Sequence, residues 1–389
     1  MKILFIAGAD QKYGTFQISK LLLDTVRQND NKMEYIVLTQ KSGPLNEWCD
    51  ANSILNYVYP YRYCVYYPSN NLVKGYLKHF AKYLLVTASN RIALHKLEKS
   101  GVLNGIDIVH TNINRDLFGI LIAKKYNLPN VTHLREFSRA HFGLKPIYHN
   151  QIELMNKYSS RFIAISNVVK DDWIDYGIRR DKIEVIYDGV DVDRYKVAQI
   201  KEEKSTQLRM VMCGAIYKGK GQKELIEAVG CLLKEGYCIR VDIYGNVESK
   251  EYFNELNGYI KSQDIQTNIR FLGYKDNVNE VLSDYDVGVV CSKAEGFGLV
   301  TVEYMLSRLI IIASETGANP ELLEHGKWGI LYPLGDIEQL KKSIKEVYSN
   351  KLMYSNKRNL AIKYAKDTYS IKKTAARVRD MYLLAIGDK

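Results

Sequence analysis

Short apolar runs rich in β-branched and aromatic residues alternate with longer stretches of helical period along most of the 389 residues. Strands are predicted at 3–7, 35–38, 106–109, 130–133 and 162–165, each followed by an amphipathic segment. A polar, lysine-rich stretch at 201–207 interrupts the alternation, which restarts with a strand at 208–213 and continues near 239–244, 269–272, 287–291 and 309–313. From residue 351 onward the pattern is helical, rich in Lys, Ala and Tyr. Strands that alternate with helices assemble into a parallel sheet wrapped by helices. The prediction is therefore α/β, with two Rossmann-like, doubly wound domains at 1–195 and 208–365, a linker at 196–207 and a last helix at 366–389 crossing back to the first domain. Open sheets of this kind bind ligands at the carboxyl ends of their strands, so the working site is expected in the cleft that the two domains face.

Hydrophobic residues at 46% and charged residues at 25% are a globular composition, and no run approaches the ~18 apolar residues of a membrane span. The N-terminal apolar run stops at Asp10 and reads as a buried first strand rather than a signal sequence. Six cysteines without a C-x-x-C pair fit a reducing cytoplasm. The net charge of +11 lies mostly in the N-terminal half and favours phosphate-bearing partners. Nucleic acid is set aside, because that half lacks a basic recognition helix or a single-strand-binding pattern. No His/Cys cluster stands at metal-ligand spacing, in agreement with a site that needs neither metal nor cofactor.

One segment carries chemistry. After the strand at 287–291 come Ser292, Lys293, Ala294, Glu295, Gly296, Phe297, Gly298, Leu299, Val300, Thr301, Val302 and Glu303. The glycines let a backbone approach a ligand, and a helix opening near Gly298 aims its free N–H groups and positive dipole end at a diphosphate. Glu295, in the loop, would face a sugar and Glu303, in the helix, a ribose, since carboxylates accept paired hydrogen bonds from vicinal hydroxyls. This segment resembles the E-x7-E signature of the family 4 retaining glycosyltransferases, which have the GT-B fold. The stretch from Ser314 to Glu321 is similar to that family's glycine loop and following glutamate, and Gly326 to Tyr332 to its closing turn and strand.

The resemblance implies a donor site built from Glu295, Gly296, Phe297, Gly298, Leu299, Val300 and Glu303. Cys213 to Gly221 resembles the segment in which an arginine and a lysine hold the donor diphosphate. Lys220 matches the lysine. Ala215 stands in the arginine's place, and Lys218 is a substitute with a point charge instead of a fork. Gly245 and Tyr274, in strand-end loops, border the nucleotide by the same likeness, and Gly14 sits where relatives carry a phosphate-admitting turn. On the acceptor side, either His133 or Arg135 occupies the position of the family's catalytic histidine. Arg135 or Arg139 would suit an anionic acceptor or the donor phosphate, and Ser166 reads as a helix cap.

Between residues 57 and 99, eight tyrosines interleave with seven cations, among them Arg62, Lys74, Lys78 and Lys82. This suits peripheral contact with an anionic membrane; equally, the tyrosines are half-buried core and the lysines a solvated helix face. Together these features imply a retaining hexosyltransferase of cell-surface polysaccharide biosynthesis, in the cytoplasm or peripheral on the inner face of the membrane. It would move a sugar from a nucleotide-diphosphate sugar to a glycan or polyprenyl-linked acceptor without a metal, with Glu295, His133 and Lys220 at the chemistry. The alternatives are a sugar-nucleotide epimerase or hydrolase of the same architecture and a non-catalytic nucleotide-binding subunit, the latter prompted by Ala215.

Overall fold

The computed structural model describes residues 1–8, 14–29, 32–69, 71–138, 143–195 and 207–388. The chain divides into two compact units, Met1–Gly189 with Ile371–Lys389, and Val190–Ser370. These boundaries differ from the expected 195 and 366, and most of the expected linker, 196–206, lies outside the described residues.

The first unit is a seven-stranded parallel sheet. Its strands are β1 (Lys2–Ile6), β2 (Glu34–Thr39), β3 (Leu55–Val58), β5 (Ile108–Thr111), β6 (Asn130–Leu134), β8 (Arg161–Ala164) and β9 (Ile183–Val185), in the order β3-β2-β1-β5-β6-β8-β9. A small antiparallel pair, β4 (Val65–Tyr66) and β7 (Lys145–Pro146), stands apart from it. Each face of the sheet buries its own core. Ile3, Phe5, Val37 and Ile163 pack with Val378, Met381 and Tyr382 of the terminal helix Ile371–Gly387, while Leu4, Ile6, Leu38 and Val109 pack with Leu97, Phe118 and Ile122. Burial on both faces is why these strands read as continuous apolar runs. Gly189 is required where the chain passes that terminal helix, because a Cβ there would lie 2.4 Å from Ile371 Cα.

The second unit holds six parallel strands: β10 (Leu208–Cys213), β11 (Ile239–Tyr244), β12 (Ile269–Gly273), β13 (Val287–Val290), β14 (Ile310–Ser314) and β15 (Ile330–Tyr332). Their order is β12-β11-β10-β13-β14-β15. The chain builds outward from β10 in one direction, then returns to β13 beside it and builds the other way. That reversal leaves a crevice at the carboxyl ends of β10 and β13, the place where such sheets take ligands.

Candidate active site

Lys220, Glu295 and Gly298, which the sequence placed near the donor, lie at that reversal. After β10 the chain passes Gly214, makes a single 3₁₀ turn at Lys218–Lys220 and enters the helix Gln222–Lys234 through Gly221. Gly221 has φ +73°, and a Cβ there would lie 2.1 Å from the Cys291 carbonyl oxygen, so only glycine lets this helix start approach the end of β13. The Lys293 amide donates to the Gly219 carbonyl at 2.9 Å and joins the two loops.

Lys220 lays its stem past Gly214 and donates from Nζ to Glu295 Oε1 at 2.5 Å; Ser292 Oγ donates to the same oxygen at 2.6 Å. Burial alone would lower the Lys220 ammonium's pKa, but Glu295, with help from Tyr217 and Glu248, outweighs it and leaves the lysine above its ordinary value. The lysine is therefore a fixed cation, charged at any working pH.

The glycine loop holds Glu295 from behind. Ala318 N–H donates to the Glu295 carbonyl at 2.9 Å, and Ser314 Oγ and Thr316 Oγ1 both donate to the Ser292 carbonyl, at 2.8 and 2.7 Å. Gly317, at φ +55°, brings its backbone so close that a Cβ would meet the Glu295 nitrogen at 2.5 Å. The helix Leu299–Leu306 begins after Gly298, in the left-handed region at φ +94°, and no side chain among the described residues caps it. Gly296, Leu299 and Val300 are half-buried around that start.

On the same helix, Glu303 accepts a 3.1 Å hydrogen bond from Tyr195 Oη, and burial pushes its carboxyl up to about 7 despite that bond. One expectation changes here. The Phe297 side chain turns inward, 3% exposed and edge-on to Tyr369, so the ring itself is not presented to a ligand. Ala215 adds a carbonyl that accepts from Gln222 Nε2 at 2.9 Å, and Lys218 is exposed. Gly245 lies after β11, where a Cβ would strike the Gly214 carbonyl at 1.9 Å, and Tyr274 is 40% exposed after β12.

The first unit's candidates fare differently. His133 is not at the end of its strand but inside β6, fully buried, with its ring 5.5 Å from that of His110. Burial, then the Arg135 charge, hold both imidazoles neutral, His110 at about 3 and His133 well below its ordinary value. In the free protein the enclosed ring presents no edge to a substrate.

Arg135 follows the strand, but its guanidinium is spent internally. It donates to Asp188 Oδ1 at 2.6 Å and to Asn112 Oδ1 at 3.0 Å, with His133 Nδ1 at 3.3 Å. Arg139 lies outside the described residues, as does the loop before Gly14, where the helix Gly14–Asn29 begins. Ser166 caps the helix Asn167–Asp175 through Val169 N–H.

Sequence reasoning missed Ser292 and Tyr195. Ser292 was visible as part of the motif, but nothing local marks its bond to Glu295. Tyr195 reaches Glu303 from 108 positions away, and no periodicity signals that.

Comparison with known proteins follows the same division. Residues 62–194 match the family described as Glycosyltransferase Family 4, and residues 193–368 match Glycosyl transferases group 1. The chain is 25% identical over 321 residues to UDP-Gal:alpha-D-GlcNAc-diphosphoundecaprenol alpha-1,3-galactosyltransferase of Escherichia coli, covering 79% of this chain and 82% of that one. It is 21% identical over 340 residues to N-acetyl-alpha-D-glucosaminyl L-malate synthase of Bacillus anthracis, covering 86% and 87%. Among solved structures, Anabaena HepE in complex with UDP superposes with a TM-score of 0.80 at 20% identity, over 98% of this chain and 99% of that one.

Proposed function

The chain belongs to the family 4 glycosyltransferases, with the GT-B fold, and from that membership we propose that it is a retaining enzyme using a nucleotide-diphosphate sugar. The observation that carries the proposal is the Lys220–Glu295 pair at the carboxyl ends of β10 and β13, beside an uncapped helix start. In the free protein, Glu295 occupies the cation that a diphosphate would claim. When donor binds, the phosphate oxygens take Lys220 and the amides after Gly298, and Glu295 is released to accept from the sugar hydroxyls.

In transfer, the bond from the anomeric carbon to phosphate breaks and a bond to the acceptor oxygen forms on the same face. The acceptor proton leaves with the diphosphate. Lys220 and the helix amides stabilise the charge that grows on the leaving group, an electrostatic contribution of the oxyanion-hole type that requires no metal. Glu303 accepts from the ribose, and Gly245 and Tyr274 border the base.

Glycosyltransferases of polysaccharide and glycan biosynthesis surround this chain among its relatives. A relative that uses UDP-galactose on a diphosphoundecaprenol-linked sugar, and a neighbour that binds UDP, support a uridine donor and a polyprenyl-linked acceptor. No helix among the described residues is long and apolar enough to cross a membrane. We place the protein at the cytoplasmic face of one, held peripherally by the 57–99 region.

The test is a thermal-shift and turnover panel of nucleotide sugars, with and without EDTA, following released nucleoside diphosphate. Stabilisation by one nucleotide with EDTA-resistant turnover and a retained anomer is expected. Stabilisation without turnover toward any glycan or polyprenyl-linked acceptor would instead identify a non-catalytic nucleotide-binding subunit, for which the loss of an arginine at Ala215 is the motive.

A further inference from the structure

The longest helix, Leu72–Lys99, is only partly used by the fold. One side is anchored: His79 Nε2 lies 3.0 Å from the Ile147 carbonyl, Thr87 Oγ1 is 3.1 Å from Tyr148 Oη, and Asn90 holds the Arg62 backbone. Val73, Leu77, Phe80 and Leu84 recur at helical period on another stripe and are 70, 61, 52 and 51% exposed, with Tyr76 at 71% beside them. Lys74, Lys78 and Lys82 follow at four-residue intervals, so cations flank an exposed apolar stripe. Isolated exposed apolar residues need no explanation; a contiguous stripe of them does.

Against this helix lies a cavity of about 390 Å³. Arg62, Lys78, Lys82 and Arg115 line it, with Tyr63, Tyr66 and Tyr67, and no carboxylate is among the described residues that do. Arg115 is already paired, donating to Glu136 at 2.6 and 2.7 Å, which leaves the lining with a net positive charge from the other three. Gln40 also lines the cavity, and its amide nitrogen is buried without a partner among the described residues. Gln40 follows β2, and Tyr63 Oη lies 2.9 Å from where a Cβ on Gly8, just past β1, would stand. The cavity thus opens at the carboxyl ends of the first unit's strands, where sheets of this kind bind ligands.

We propose that this cavity binds the phosphate group of a membrane lipid while the apolar stripe of Leu72–Lys99 lies in the surface of an anionic leaflet. Cations around an apolar stripe favour a leaflet over a protein groove, because lipid phosphates neutralise the lysines and the acyl boundary covers Leu77, Phe80 and Leu84. The tyrosines suit the same boundary, each having an apolar ring and a polar tip. The inference deepens the polyprenyl-linked acceptor proposed above and rests on it for the identity of the lipid. Binding itself is measured without donor, so the two can fail separately.

The experiment is flotation of the full chain with vesicles of phosphatidylcholine, alone or with phosphatidylglycerol, at low and high salt. Flotation with the anionic vesicles only, weakened by salt, is expected. Lys78→Gln with Lys82→Gln should reduce the partition roughly thirty-fold. Leu77→Ser with Phe80→Ser should abolish it while leaving the circular dichroism unchanged. The proposal is overturned by equal binding to neutral vesicles or by an unaffected lysine double variant. Calorimetric binding of inorganic pyrophosphate that the Lys78/Lys82 variant loses, with no flotation, would also overturn it, marking a site for soluble phosphate. A concentration-dependent dimer abolished by the Leu77/Phe80 variant, again without flotation, would overturn it in favour of contact between copies. Wild-type protein that turns over donor but never floats would end this inference and leave the transferase proposal standing.

Discussion

Replacing Glu303 by glutamine separates the carboxylate's charge from its shape. In the free protein, burial raises this carboxyl from 4.5 to about 7, so at pH 6 most molecules carry it protonated. A protonated carboxyl accepts poorly from two ribose hydroxyls, and donor binding must then remove the proton. The apparent Kd of wild type should rise about tenfold per pH unit below 7, approaching about 100-fold at pH 5. Isothermal titration calorimetry with UDP-glucose is the suitable assay, because a diphosphate diester has no second ionisation in this range. Glu303→Gln should bind about 10- to 100-fold more weakly at pH 8, the loss of a charge-assisted pair of hydrogen bonds, and show a flat pH profile. Stability should move the opposite way. A carboxyl whose folded-state pKa is raised contributes stability that is complete below 4.5 and is lost as pH rises through about 7. The glutamine variant should escape that loss and unfold later than wild type at pH 8, by at most about 3 kcal/mol, a ceiling because the residue keeps a partly exposed edge. A wild-type affinity that is level from pH 5.5 to 8, or a variant that keeps the slope, would refute the assignment of Glu303 to the ribose.

Three further outcomes are expected. Lys220→Met should lower kcat for nucleoside diphosphate release by about 10²- to 10³-fold, the usual cost of removing one stabilising donor; a change confined to KM would restrict the lysine to ground-state binding. Gly317→Ala, forced to φ +55° against the Glu295 backbone, should lose at least about tenfold in transfer, whereas Gly258→Ala, with open space around it, should not; equal activity in both would show that the glycine loop does not position Glu295. Arg135→Leu should destabilise the protein by about 3–5 kcal/mol in urea unfolding, because it strands Asp188 in the interior, and adding Asp188→Leu should recover most of that; a null effect of the single variant would mean that the pair is hydrated.

The fold was legible in the sequence wherever burial is two-sided. Strands sealed on both faces are continuous apolar runs, and those at 208–213 and 239–244 coincide with β10 and β11 to the residue. The strands that escaped notice have weaker patterns. β3 is largely exposed at the sheet's edge, β9 has three residues, and β4 and β7 have two each. Without a buried face, a strand has no apolar pattern to read. The Tyr-rich segment mixed both expectations, since Tyr61 is 2% exposed while Tyr67 and Tyr76 face outward.

For the site, local sequence determined which residues can meet a phosphate and a sugar: glycines that free the backbone, a helix that opens without a cap, two glutamates and a lysine. These follow from chemistry and chain direction, both of which a sequence carries. Tertiary structure alone decided how they are engaged. Lys220 and Glu295, 75 positions apart, meet because the chain reverses between β10 and β13. His133 and Arg135, two residues apart, looked interchangeable, yet one ring is enclosed beside His110 and the other side chain is fixed on Asp188. Such outcomes depend on which distant atoms share a small volume, and that is a property of packing, which composition and spacing along the chain do not contain.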